Sequence, residues 1–184
     1  MRTLRMVAVL AALAISLAAA GHSAMAEQTP AMTDRFEELS TNGNSNCSAG
    51  FTDAIATMPA MSMLQGSCCS PMDLHRYLEQ VAALAGYRDV AAIPPDPYNI
   101  PAGQAHRLMQ YEDLELRPDE QSAYQYAMEK SDEKGPCCCQ CWRWRVYGGL
   151  AKYLIREHGY TGDQIVEVWN LSNGCGGGSG HVHH

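Results

Sequence analysis

Four of the eight cysteines stand within five residues, in Pro136-Cys137-Cys138-Cys139-Gln140-Cys141-Trp142. The others are Cys47, the adjacent pair Cys68-Cys69, and Cys175. Two chemistries suit this pattern. One is a disulfide framework, as an even cysteine count in an exported chain suggests, with each clustered cysteine taking a partner from the other four. Each long loop closed in this way contributes about 2–4 kcal/mol. Geometry weighs against it. Adjacent side chains point in different directions, and each bridge needs its Cα atoms within about 4.4–6.8 Å. Three consecutive cysteines bridged outward would crowd three partner backbones around one turn.

The other chemistry is a soft-metal site. Cys138 and Cys141 form a C-x-x-C pair, and Cys137, Cys139 and Cys141 alternate as C-x-C-x-C. Placed at a helix start, these thiolates gain from the dipole and from free backbone N–H groups. Several thiolates in one turn suit Cu(I), with Zn(II) as second choice. Met58-Pro59-Ala60-Met61-Ser62-Met63 adds three thioethers shortly before Cys68-Cys69. Thioethers need no deprotonation and form no disulfides, so they bind Cu(I) where thiols fail. The competing reading of the methionines is core filling. The candidate metal set is therefore Cys137, Cys138, Cys139 and Cys141, with Cys68, Cys69, Met58, Met61 and Met63 as a second arm or entry site. A mixed arrangement also fits, with Cys47 and Cys175 joined as a staple while the clusters bind metal.

A third use of C-x-x-C is thiol–disulfide redox work, but that arrangement belongs in a βαβ context, and no stretch here alternates as a strand. His75, His106 and His158 read as incidental surface residues. The terminal His181-Val182-His183-His184 could take Cu(II), Ni(II) or Zn(II) weakly. Arg143 and Arg145 could offset the charge of a thiolate cluster. Trp142 falls on an apolar stripe, and Trp144 points elsewhere, over the site or towards a partner. No C-x-x-C-H, G-x-S-x-G or H-E-x-x-H occurs, and the carboxylates are too dispersed to suggest an acid/base pair, so nothing assigns an enzyme.

These residues need elements to hold them. The chain has 184 residues, 46% hydrophobic, with a formal charge of −7. That supports one domain with a core and argues against a nucleic-acid partner. Residues 1–26 read as a signal peptide: Arg2 and Arg5, an apolar run from Met6 to Ala20, then Ala24-Met25-Ala26 before cleavage. The run is too short for a comfortable membrane span, and the expected location is periplasmic or secreted, with no membrane insertion after cleavage. Residues 27–46 read as a flexible leader with a short helix around Asp34–Leu39, 47–172 as a helical Cys-rich domain, and 173–184 as a Gly/His-rich tail.

Within the domain, Ser70 as N-cap and Pro71 at the first helical position open a helix carrying Leu74, Tyr77, Leu78, Val81, Leu84 and Ala85, ended by Gly86. Four prolines over Ile93–Pro101 require an irregular strap. Pro101 opens a second helix through Leu108, Tyr111 and Leu114. Pro118 opens a third to about Lys134, with Ala123, Tyr126 and Ala127 inward. A fourth runs from about Cys138 to His158 and stops at Gly159. Thr161 with Gln164 forms a capping box before a short helix carrying Ile165, Val168 and Trp169. The expected fold is all-α, with four to five helices in a compact bundle-like domain and irregular Pro-rich and Cys-rich connections.

Pro136-Cys137-Cys138-Cys139-Gln140-Cys141 resembles the motif of exported bacterial PCYCGC-motif proteins, many of them lipoproteins. The proline and three alternating cysteines match. Cys138 and Gln140 stand where that family has Tyr and Gly, and no lipoprotein acceptor cysteine lies near the cleavage site. The match spans six residues and implies an exported Cys-rich protein, with no defined mechanism.

Taken together, the residues describe an exported protein that captures, stores or delivers Cu(I), its partners a soft metal ion and a candidate metal-trafficking protein. The alternatives are a disulfide-stapled structural or interaction protein without metal, and a thiol–disulfide redox protein.

Overall fold

The computed structural model describes residues 30–177. The expected signal peptide and the terminal histidines lie outside these residues. Among the described residues the chain divides into two units at Glu37–Glu38, and the site is built in the second. Among the described residues the structure is mostly helical, with seven α-helices and one two-stranded sheet. Residues 30–42 are helical (α1), a longer element than the short helix expected in the leader. The others are α2 (Ala49–Ile55), α3 (Leu74–Leu84), α4 (Ala102–Met109), α5 (Pro118–Lys130), α6 (Trp142–His158) and α7 (Gly162–Leu171). No described helix is long and apolar enough to cross a membrane.

The central element is α6. Its stripe of Trp142, Val146, Leu150 and Leu154 is fully buried, at the i, i+4 spacing that lines one helix face. It packs against α2, α4, α5 and α7. The closest approach is to α4, at Gly149. A Cβ there would lie 1.9 Å from the Leu108 carbonyl oxygen, so only glycine lets the two backbones meet. Gly159, left-handed at φ 64°, ends α6 and donates its N–H to the Ile155 carbonyl. The capping box at α7 forms as the sequence reads: the Thr161 N–H meets Gln164 Oε1 at 2.9 Å, and the Gln164 N–H meets Thr161 Oγ1 at 3.4 Å. Ile165, Val168 and Trp169 are buried.

Several boundaries differ from expectation. Helix α3 starts at Leu74, with Asp73 as N-cap accepting the Arg76 N–H at 2.8 Å. Ser70 is engaged elsewhere, since its N–H and hydroxyl both donate to the Cys175 carbonyl, at 2.9 and 3.1 Å. The proline strap ends in a strand. β1 (Met63–Gln65) and β2 (Asn99–Pro101) pair antiparallel, with Leu64 opposite Ile100 and both buried. Three residues are too few to show alternation in sequence. Helix α5 stops at Lys130, and Ser131 and Gly135 close the turn through the buried Ser131 hydroxyl. Tyr126 is 40% exposed rather than inward, its hydroxyl donating to Asp163 at 2.7 Å. A tyrosine can keep its polar tip in water in this way.

Candidate metal centre

All four clustered cysteines precede α6. Cys141 is its N-cap, and Cys137, Cys138 and Cys139 lie in the irregular loop leading to it. The expectation that the helix begins at Cys138 is thereby corrected. A helical turn fixes consecutive side chains on diverging directions, whereas an open loop leaves neighbouring sulfurs free to converge on one site.

Three other segments meet this loop. Cys47 sits just before the Ser48 cap of α2, Cys68-Cys69 in the connection from β1 to α3, and Cys175 beyond α7. Main-chain bonds fasten the tail to the Cys68-Cys69 loop: the Cys69 and Ser70 N–H groups donate to the Cys175 carbonyl, and the Gly177 N–H donates to Pro71. Gly176 holds φ 84°, and a Cβ there would lie 1.9 Å from the Ser70 carbonyl oxygen. The glycines after Asn173 thus let this segment run against a neighbouring backbone, and Asn173–Gly176 are buried.

The result is a convergence of all eight sulfurs. Cys69 Sγ lies 3.4 Å from Cys47, 3.7 Å from Cys68, 3.5 Å from Cys138 and 3.6 Å from Cys139. Cys139 is 3.5 Å from Cys47, and Cys137 is 2.8 Å from Cys175. No pair is at bonding distance and all eight are free thiols. The staple imagined between Cys47 and Cys175 is not formed.

Five groups of three cysteines have their sulfurs within 4.8 Å of one another: 47/68/141, 47/69/139, 68/69/175, 137/138/175 and 137/139/141. The 47/69/139 triangle has sides of 3.4, 3.6 and 3.5 Å. The centre of such a triangle, at a side divided by √3, lies about 2.0 Å from each sulfur, close to the about 2.3 Å of a Zn–S bond. The donors in all five groups are cysteine sulfurs. The site is graded in depth: Cys137, Cys141 and Cys175 are buried, Cys47, Cys68, Cys138 and Cys139 half-buried, and Cys69 exposed.

Arg143, one of two basic residues singled out in the sequence, is fully buried. Its Nη1 and Nη2 donate to the Pro97 and Gly66 carbonyls, the second at 2.8 Å, and its Cζ lies 4.4 Å from the Trp142 ring centroid. Among the described residues no ion pair includes it, and its Nε has no hydrogen-bond partner. A buried cation without a counter-charge is expensive. Burial works to discharge it, but Cys68, Tyr147, Cys175 and Cys137 outweigh this and hold its proton more tightly than usual. Arg145 faces away and pairs with Glu112 at 2.8 Å. Trp144 lies against Gly135.

The thiols split in acidity. Cys137 is pulled down to about 4, first by the hydrogen bond from Cys138, with Cys141 opposing and Cys175 and Cys68 assisting. Cys68 falls to about 6: its contact with Cys137 raises it, but Cys141, Cys175 and the charge of Arg143 lower it further. Cys175 and Cys138 are pushed up, each chiefly by Cys137, and Cys47 and Cys139 chiefly by burial. Without metal, Cys137 and Cys68 are thus favoured as thiolates, and Cys47, Cys138, Cys139 and Cys175 as protonated thiols. A bound soft cation would remove this restriction by taking the protons' place.

The methionine arm is placed differently. Met61 is 84% exposed, Met63 lies in β1 opposite Pro101, and Met58 packs on the core. His75 is exposed and pairs with Glu79 at 3.1 Å. Cys47 and Cys175 lie outside the ligand set expected from the sequence, where their only signal is the even count, which leaves them free to pair with each other.

Searches against family models, curated proteins and solved structures return no match to this chain.

Proposed function

We propose that this protein is an exported soft-metal binder that captures Cu(I), for storage or delivery, in a thiolate site built from four chain segments. Zn(II) is the second choice of ion. The observation that carries the reading is the arrangement of all eight cysteine sulfurs in five overlapping groups beside a buried arginine that has no carboxylate partner. All-thiolate donor sets favour soft ions. Cu(I) accepts three-coordinate sulfur, whereas Zn(II) asks for four ligands. The thioethers of Met58, Met61 and Met63 stand apart as an entry route, with the exposed Met61 as first contact. The export signal in residues 1–26 and the six-residue PCYCGC resemblance agree with a protein that works outside the cytosol, handing its ion to a metal-trafficking partner.

The disulfide-stapled alternative draws on one observation, the 2.8 Å approach of Cys137 and Cys175. Metal content and free-thiol count, measured on protein purified anaerobically from its export compartment, separate the two readings. The metal reading expects copper to co-purify and all eight thiols to titrate once it is removed. A metal-free protein with a mass eight hydrogens below the reduced value would overturn it.

A further inference from the structure

The five sulfur groups are not separate sites. Cys47, Cys68, Cys69, Cys137, Cys139, Cys141 and Cys175 each belong to two groups, and Cys138 alone belongs to one. A sulfur shared by two three-cornered sites must bridge two ions when both are filled. Eight separate thiolates could serve at most two isolated three-coordinate ions, and two such ions would leave the sharing unused.

We infer that the site holds one polynuclear Cu(I)–thiolate cluster, of four or five ions joined by bridging cysteine sulfurs. This rests on the soft-metal reading above and adds its stoichiometry and connectivity. The geometry supports it in three ways. Sulfur–sulfur separations of 3.4–3.7 Å run continuously from Cys47 through Cys69 to Cys138 and Cys139. The groups pass from exposed Cys69 to buried Cys137 and Cys175 without a break, so an ion entering at the surface has a sulfur ladder to the interior. Four or five monovalent cations also leave eight thiolates with net negative charge, for which the buried Arg143 is a fixed counter-charge.

The test is native mass spectrometry of the anaerobic, reduced protein titrated with Cu(I), together with copper-edge X-ray absorption. The expected result is a jump from the metal-free form to a species with four or five ions, with short Cu–Cu scattering. Two variants check the connectivity. Cys69→Ser changes an exposed residue that belongs to two groups, and should lower the saturating count by two. Cys138→Ser changes a residue of one group, and should lower it by one. Circular dichroism confirms that both remain helical. Saturation at one or two ions without Cu–Cu scattering, or equal losses in the two variants, overturns the cluster while leaving soft-metal binding intact. No bound Cu(I) at all overturns both.

Discussion

The sulfurs of Cys137 and Cys175 stand 2.8 Å apart, although 38 residues separate them in the chain. The packing of the post-α7 segment on the Cys68-Cys69 loop supplies this proximity, so oxidation of this pair needs little further ordering. In a glutathione redox buffer at equilibrium, the first disulfide in metal-free protein is expected to join Cys137 to Cys175. Copper-loaded protein should resist it. Peptide mapping after alkylation checks the pairing, and a different majority disulfide would show that the apo cluster rearranges.

Arg143 is expected to matter more to the loaded protein than to the empty one. Arg143→Met removes a buried cation whose fields fall on Cys68, Cys137 and Cys175. As a group supporting the ligands, its loss should weaken Cu(I) affinity about 10–100-fold. Competition against a Cu(I) chelator measures the affinity. Thermal unfolding with and without copper supplies the control: the stabilisation gained on loading should shrink in the variant. An unchanged gain would make Arg143 a packing residue only.

Gly149→Ala tests the frame that carries the site. The added methyl meets the Leu108 carbonyl of α4, and overpacking of this kind costs about 1–3 kcal/mol or more. Gly50→Ala in α2 is the matched control, because its added Cβ meets nothing within 4 Å. It should be stabilising by roughly 0.4–1 kcal/mol, because alanine narrows the unfolded chain's freedom at an unstrained position. Urea unfolding of the two variants should give shifts of opposite sign.

Glu120 makes the fold acid-sensitive. Its carboxylate accepts from Arg156 Nε at 2.8 Å, from the Arg117 N–H at 2.8 Å, and pairs with Arg117 Nη2 at 2.7 Å. The Arg156 contact is the main reason its pKa falls from 4.5 to about 2, with burial opposing. A lowered carboxylate pKa means the unfolded chain takes up the proton first. The stabilisation is therefore full above about pH 4.5 and fades as pH falls towards 2. Glu120→Gln should lower the melting temperature at neutral pH and flatten its decline over this window. A parallel decline in both proteins would shift the acid sensitivity to other groups.

Local signals in the sequence determined much of the helical scaffold. The α6 stripe, the Gly159 stop, the Thr161–Gln164 box and the α7 core residues depend on interactions a few residues apart, and composition with spacing encodes those directly. The density of thiols from Cys137 to Cys141 likewise declared a sulfur site. Tertiary structure alone added Cys47 and Cys175 to it. Cys47, Cys68-Cys69 and Cys175 reach the cluster because chain segments far apart in sequence pack together, and no periodicity records that meeting. It also decided that Arg143 points inward while Arg145 pairs with Glu112, and that Ser70 holds the Cys175 carbonyl instead of capping a helix. Each outcome is a competition between local and distant partners for the same group, and only the folded packing fixes which partner is near enough to win.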